Sequence, residues 1–213
     1  MPNQNPAIHA FMKLGPVIPV LVVDDTDHAV PLARALIAGG IQVLEITLRT
    51  PNALSVISAI ARHVPEAVLA AGTVTTPEQW DAAARAGAHF VVSPGLTPRL
   101  LDAAAQAPIA LLPGVATASE LMTAMDAGFE CFKFFPAQQA GGLAMLKALG
   151  GPFAQARFCP TGGITPDNAE AYLALPNVVC VGGSWLAPSA AIQTGDWSAI
   201  TALAQAASRL SRV

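Results

Sequence analysis

Two charged residues stand inside apolar runs, where charge is costly. In Val43-Leu44-Glu45-Ile46-Thr47 a carboxylate interrupts an aliphatic run, and in Cys131-Phe132-Lys133-Phe134-Phe135 an amine interrupts an aromatic one. Side chains of a strand alternate between faces, so Leu44 and Ile46 share one face while Val43, Glu45 and Thr47 share the other. The same alternation separates Phe132 and Phe134 from Cys131, Lys133 and Phe135. A buried charge must be paired or used. With the bulky sets turned toward covering helices, Glu45 and Lys133 point into one interior. Desolvation there favours the neutral, nucleophilic amine, and the carboxylate is placed for general acid–base work. That combination is the machinery of Schiff-base chemistry on a carbonyl. A buried ion pair that only fixes structure is the weaker account, because such pairs seldom stabilise relative to apolar replacements. Lys133 is one of three lysines, with Lys13 and Lys147, and the one placed inside a strand.

Glycines supply a second chemistry. Thr161-Gly162-Gly163-Ile164 and Gly182-Gly183-Ser184-Trp185 each follow a short apolar run. Glycine lets backbone N–H groups approach an anion closely, and in (β/α)8 barrels the loops after strands seven and eight commonly hold a phosphate. Tight turns without a ligand are the alternative, and two clusters in these places make it the poorer one. Arg49, four residues after Glu45, offers a guanidinium fork suited to a carboxylate. Thr73 in Ala70-Ala71-Gly72-Thr73 offers a hydroxyl, while Ser93-Pro94-Gly95 and Pro113-Gly114 shape neighbouring turns. From the residues alone, an ordinary loop charge and a turn residue are equally good readings of Arg49 and Thr73.

The elements that must position these groups repeat along the chain. Thr50-Pro51, Thr76-Pro77, Thr97-Pro98 and Thr165-Pro166 each set a hydroxyl N-cap before a proline at the first helical position. Thr76-Pro77-Glu78-Gln79 and Thr117-Ala118-Ser119-Glu120 read as capping boxes. With Thr26, the Ala140-Gly141 region and Pro188, helices start near 26, 50, 76, 97, 117, 140, 165 and 188, roughly 20 to 26 residues apart. Gly39-Gly40, Gly87, Gly128 and Gly150-Gly151 end helices. Between them lie VIPVLVV, VLEIT, VLAAGT, FVVSP, IALLPG, CFKFFP, RFCPTGG and VVCVGG. Such continuous apolar strands, alternating with helices, predict a parallel sheet covered on both faces. Eight units without a linker predict one domain, residues 1–213, folded as a single (β/α)8 TIM barrel with an extra N-terminal helix over 1–14. An open doubly wound sheet is the competing architecture, weakened because Asp24-Asp25 rather than G-x-G-x-x-G follows the first strand. A last Ala-rich helix is expected over about 196–211.

Composition removes other classes. The chain has 213 residues, 53% hydrophobic and 12% charged, with a net charge of −3. The charged fraction is about half the ~25% of an average globular protein, which marks a core-heavy chain. Mild acidity and the lack of a basic run argue against a nucleic-acid partner. The N-terminal stretch lacks the charge-then-apolar order of a secretory signal, and no apolar run approaches the ~20 residues that span a bilayer. A cytoplasmic protein without a membrane partner is the expectation, and Cys131, Cys159 and Cys180 then read as small buried thiols. His9, His28, His63 and His89 are isolated, with no zinc-ligand spacing, and no G-x-S-x-G elbow occurs, so neither a metal site nor a serine hydrolase is expected. Asp24-Asp25 read as a turn capping the first helix, and Tyr172 and the three tryptophans as packing or rim residues.

Glu45 in LEITLRT, Gly72-Thr73 in AAGTV, Ser93-Pro94-Gly95-Leu96, FKFFPA around Lys133, FCPTGGI and VGGSW together resemble the 2-keto-3-deoxy-6-phosphogluconate (KDPG) and 2-keto-4-hydroxyglutarate (KHG) aldolase family, from Pro16 to about Pro188. The resemblance implies a class I lyase without cofactor or metal, cleaving KDPG to pyruvate and glyceraldehyde 3-phosphate in the Entner–Doudoroff pathway, and also KHG to pyruvate and glyoxylate. It implies Lys133 as the Schiff-base residue and Glu45 as the general acid/base. It implies Arg49 and Thr73 at the carboxylate, Pro94 and Phe135 lining the cavity, and Thr161, Gly162, Gly163, Gly183 and Ser184 around the phosphate. It further implies a homotrimer. Gln138-Gln139 stand where an acidic residue is expected. Two other readings use the same barrel. A phosphosugar isomerase or epimerase without a covalent step leaves Lys133 idle, and a non-catalytic phosphometabolite-binding barrel leaves the Glu45–Lys133 pair unexplained.

Overall fold

Parallel strands alternating with helices that cover their outward faces build the molecule. The computed structural model describes residues 5–211. The strands are β1 (Val17–Leu21), β2 (Val43–Thr47), β3 (Val68–Gly72), β4 (Phe90–Val92), β5 (Ala110–Leu112), β6 (Gly114–Val115), β7 (Cys131–Phe134), β8 (Arg157–Pro160) and β9 (Val181–Gly183). The helices are α1 (Asn5–Lys13), α2 (Ala29–Ala38), α3 (Ala53–His63), α4 (Pro77–Ala86), α5 (Pro98–Ala104), α6 (Ala118–Asp126), α7 (Gly142–Gly150), α8 (Pro166–Leu173), α9 (Ser189–Thr194) and α10 (Trp197–Ser208).

The strand pairs among the described residues are parallel, in the order β5-β4-β3-β2-β1-β9 and β6-β7-β8. The last strand therefore lies beside the first, with Val17 opposite Val181. The ladder departs from eight unbroken strands. Pro113, which has no N–H to donate, divides the expected fifth strand into β5 and β6. Its carbonyl still accepts from Lys133 N at 2.9 Å. The expected sixth, seventh and eighth strands are consequently β7, β8 and β9. Isolated bridges at Phe158–Val178 and Thr161–Gly182 connect the regions of β8 and β9.

Most helix signals act as expected. Thr76, Thr97 and Thr117 accept from the backbone N–H three residues on, and Thr117 with Glu120 closes a reciprocal box. The box expected at Thr76 forms by half, because Gln79 Oε1 accepts from Thr75 N at 2.8 Å. Two starts differ. Near Thr26 a 3-10 turn at Thr26–His28 precedes α2, and Asp25 caps it by accepting from Asp27 N, as the Asp24-Asp25 turn was expected to do. α3 begins after Asn52, not at Thr50. Carbonyls at the exit of β1 take those polar groups instead: Thr50 Oγ1 donates to Val23 O at 2.9 Å and Asn52 Nδ2 to Asp24 O at 2.8 Å.

Alternation sorts the core into two parts, as the pattern predicts. Leu44, Ile46, Phe132, Phe134 and Phe158 pack between strands and helices. Val43, Phe90, Cys131, Cys159 and Cys180 pack in a second cluster with Ile8 and Met12 from α1. The helix expected over 1–14 is α1, and residues 1–4 lie outside the described ones. Among the described residues no helix is long and apolar enough to cross a membrane. Burial pushes the Cys131 thiol up to about 12. Because the thiolate is the nucleophile, iodoacetamide at pH 8 is expected to leave the native chain unlabelled while the denatured chain takes up three labels, one per cysteine. Intact mass measures both. Rapid labelling of the native chain would contradict the burial of these thiols.

Candidate active site

Glu45 lies at the centre of β2, opposite Ala70 of β3, and Lys133 near the end of β7, opposite Gly114 and Cys159. They are 3% and 6% exposed, the only buried charged residues among those described. Lys133 Nζ donates to Glu45 Oε1 at 3.0 Å across 88 positions of sequence. The interior faces the expectation assigned to them are thus the ones they occupy. Small neighbours leave room around the pair: Ala70, Gly114 and Cys159 sit opposite it, and Gly72 lies against Glu45. A Cβ at Gly72 would fall on Glu45 Oε1 and within 2.8 Å of its Cγ and Cδ. Lys133 Nζ also lies 5.4 Å from the centre of the Phe135 ring, an attractive arrangement for a cation.

Phe135 connects the pair to a cavity of about 170 Å³. Arg49, Phe135, Thr161, Gly162, Gly163, Gly183 and Ser184, all expected from the sequence, line it together with Val20, Ile164 and Gly182. Gly162 and Gly163 have φ of +102° and +77°, a backbone that residues with a Cβ rarely adopt. Turns of this kind present successive N–H groups as a concavity for anions. At Gly182 a Cβ would fall on Thr161 Oγ1, and at Gly183 on the Trp185 ring. The Thr161 hydroxyl, buried, donates to Cys159 O at 3.4 Å. Arg49 is exposed at the cavity and donates through Nε to Thr47 Oγ1 at 3.2 Å.

Thr73 and Pro94 do not line this cavity. Thr73, half-buried, follows Gly72 at the end of β3 with φ of +61°, the one positive value at a non-glycine among the described residues. Strain of that kind persists where surrounding structure enforces it, commonly at functional sites. Pro94 follows β4, and its carbonyl is so close to Gly114 that a Cβ there would overlap it. Thr73 thus follows the residue opposite Thr47, at the strand ends that carry Glu45 and Arg49, and Pro94 lies against Gly114, the residue opposite Lys133.

Thr47 and Val20 were given no role by sequence reasoning. Thr47 shares the interior face with Glu45 in the strand alternation, a signal that was available; nothing local marks Val20. Among the described residues no group of three or more His, Cys, Asp or Glu side chains could hold a metal ion. His89 Nδ1 accepts from Leu69 N at 3.0 Å, and the His28 ring meets Trp197 edge-on, so both serve packing.

A family model described as KDPG and KHG aldolase matches residues 8–203. The chain is 58% identical over 193 residues to a 2-dehydro-3-deoxy-phosphogluconate aldolase of Pseudoalteromonas atlantica, covering 91% of this chain and 90% of that one. It is 53% identical over 207 residues to the KHG/KDPG aldolase of Escherichia coli, covering 97% of each. A crystal structure of KDPG aldolase from Legionella pneumophila, with pyruvate captured at low pH as a covalent carbinolamine intermediate, superposes with a TM-score of 0.92 at 52% identity. It covers 94% of this chain and 97% of that one.

Proposed function

This chain belongs to the KDPG and KHG aldolase family, and on that premise we propose that it cleaves KDPG to pyruvate and glyceraldehyde 3-phosphate through a Schiff base on Lys133. KHG, cleaved to pyruvate and glyoxylate, is a further substrate of the same site. The observation that carries this reading is the buried Nζ–Oε1 contact of 3.0 Å. A phosphosugar isomerase needs no buried amine, and a binding barrel needs neither partner.

The chemistry follows from that contact. Moving one proton from Nζ to Oε1 turns the ion pair into a free amine and a carboxylic acid. The amine attacks the C2 ketone, and Glu45 delivers its proton to the ketone oxygen, giving a carbinolamine. Glu45, now a carboxylate, takes the extra proton from the attacking nitrogen and returns it to the hydroxyl, which leaves as water to give the iminium. The Glu45 carboxylate then takes the C4 hydroxyl proton, the C3–C4 bond breaks, and its electron pair moves into the iminium to leave an enamine. Glyceraldehyde 3-phosphate departs. Protonation of the enamine at C3 and hydrolysis of the resulting iminium release pyruvate and restore the amine. The glycine loops at 162–163 and 183–184 hold the phosphate through backbone N–H groups and the Ser184 hydroxyl, while Arg49 and Thr73 take the carboxylate. Pro94 and Phe135 wall the reacting carbons. The wider proposal is one domain closing as a (β/α)8 barrel, supported by β1 lying between β2 and β9. A cytoplasmic homotrimer is part of the same proposal.

The test is incubation with pyruvate and borohydride, then intact mass and peptide mapping. One reduced pyruvyl adduct on the peptide containing Lys133 is expected. A folded chain that gains no adduct would remove the covalent mechanism and return the phosphate loops to an isomerase.

A further inference from the structure

We propose that Thr47 is a positioning residue that aims the Arg49 guanidinium at the substrate, an inference that rests on the reaction assigned above. Arg49 is exposed at the mouth of the cavity, and no carboxylate among the described residues pairs with it. An arginine so placed has many rotamers and loses that freedom on gripping an anion. One contact restrains it. Its Nε donates to Thr47 Oγ1 at 3.2 Å, and Thr47 Oγ1 donates its own hydrogen to Leu21 O at 2.9 Å. The second bond determines the polarity of the first: with the hydroxyl hydrogen committed to the Leu21 carbonyl, the oxygen lone pairs face Nε. Using Nε in this way orients the guanidinium plane and leaves the two Nη ends free for bidentate recognition of a carboxylate or phosphate.

Thr47 is itself held rigidly. It is 2% exposed, lies opposite Gly72 in the β2–β3 register, and shares the interior face with Glu45. The loop that carries Arg49 is anchored on either side of it, by Thr47 to Leu21 O and by Thr50 and Asn52 to Val23 O and Asp24 O. Three side-chain donors from one segment thus bind three carbonyls at the exit of β1. The neighbouring strand holds the loop in place, and Thr47 alone passes that restraint on to the guanidinium.

A cycle of variants tests the proposal in steady-state turnover of KDPG. Thr47→Val keeps the β-branched shape and removes the hydroxyl. It is expected to raise KM about tenfold with kcat within about threefold, whereas Thr47→Ser, which keeps the hydroxyl, holds KM within about threefold. In an Arg49→Gln background Thr47→Val is expected to change KM by less than about twofold, because the group it positions is gone. If the valine chain does not fold, Thr47→Ala replaces it in the same cycle. Equal KM effects in both backgrounds, or a fall in kcat with KM unchanged, would overturn the positioning role. An inactive wild-type chain would overturn the assigned reaction and this inference with it, so the two failures are distinct.

Discussion

Lys133→Met is expected to abolish turnover, by at least about 10⁴-fold, and to abolish the borohydride-trapped pyruvate adduct. Methionine matches the length and apolar stem of lysine but has no amine to form the imine, and no second lysine stands nearby. Lys13 lies on α1 and Lys147 on α7, away from the pair. The variant also leaves Glu45 buried at 3% exposure without its 3.0 Å partner. Breaking a buried pair by removing one member costs about 3–5 kcal/mol. A lowered melting temperature is therefore expected beside the lost activity, and Lys133→Met combined with Glu45→Gln should recover part of it, since no carboxylate then stays unpaired. Circular dichroism and thermal melts separate the two effects. A folded Lys133→Met chain with more than about one percent of wild-type turnover would sink the Schiff-base mechanism.

Glu45→Gln is expected to lower kcat by about 10² to 10⁴ while leaving the chain folded. The amide keeps the shape and a hydrogen bond to Nζ but neither takes a proton from the C4 hydroxyl nor returns one to the carbinolamine. Pyruvate trapping on Lys133 should slow without disappearing, because the nucleophile remains. Gly72→Ala should give the same kinetic defect by another route. Its new Cβ would occupy the space of the Glu45 carboxylate, so the side chain must turn away from Nζ while its chemistry stays intact. Similar losses of kcat from Glu45→Gln and Gly72→Ala, with little change in KM, would tie catalysis to the position of the carboxylate. Full activity in Glu45→Gln would exclude it as the proton carrier.

The local pattern of the chain was legible wherever short-range chemistry decides. Strand VLEIT is Val43–Thr47 as its alternation predicted, Thr76, Thr97 and Thr117 cap helices as Thr-Pro and capping-box spacing require, and Gly87 ends its helix in the left-handed conformation. Where a neighbouring strand competes for the same polar group, local signals misled. Thr50 resembles an N-cap in sequence, yet the Val23 carbonyl just past β1 takes its hydroxyl. Pro113 sits in an apolar run that reads as one strand, and its missing N–H divides the ladder.

For the site, residue types alone named Glu45 and Lys133, because a charge in a buried strand has few explanations and alternation assigns it a face. The glycine pairs were read as an anion site from residue type as well: Gly162 and Gly163 turn where a Cβ is disfavoured, and at Gly182 and Gly183 a Cβ has no room. Tertiary structure alone decided that 88 positions of sequence close to 3.0 Å, that Gly72 and Gly182 make room for Glu45 and Thr161, and that Arg49 shares its cavity with the glycine loops while Thr73 and Pro94 lie outside its lining. Those facts depend on which residues of adjacent strands stand opposite one another, and on the empty space between them. Strand register and free volume are set by the packing of the whole sheet, so no single stretch of sequence encodes them.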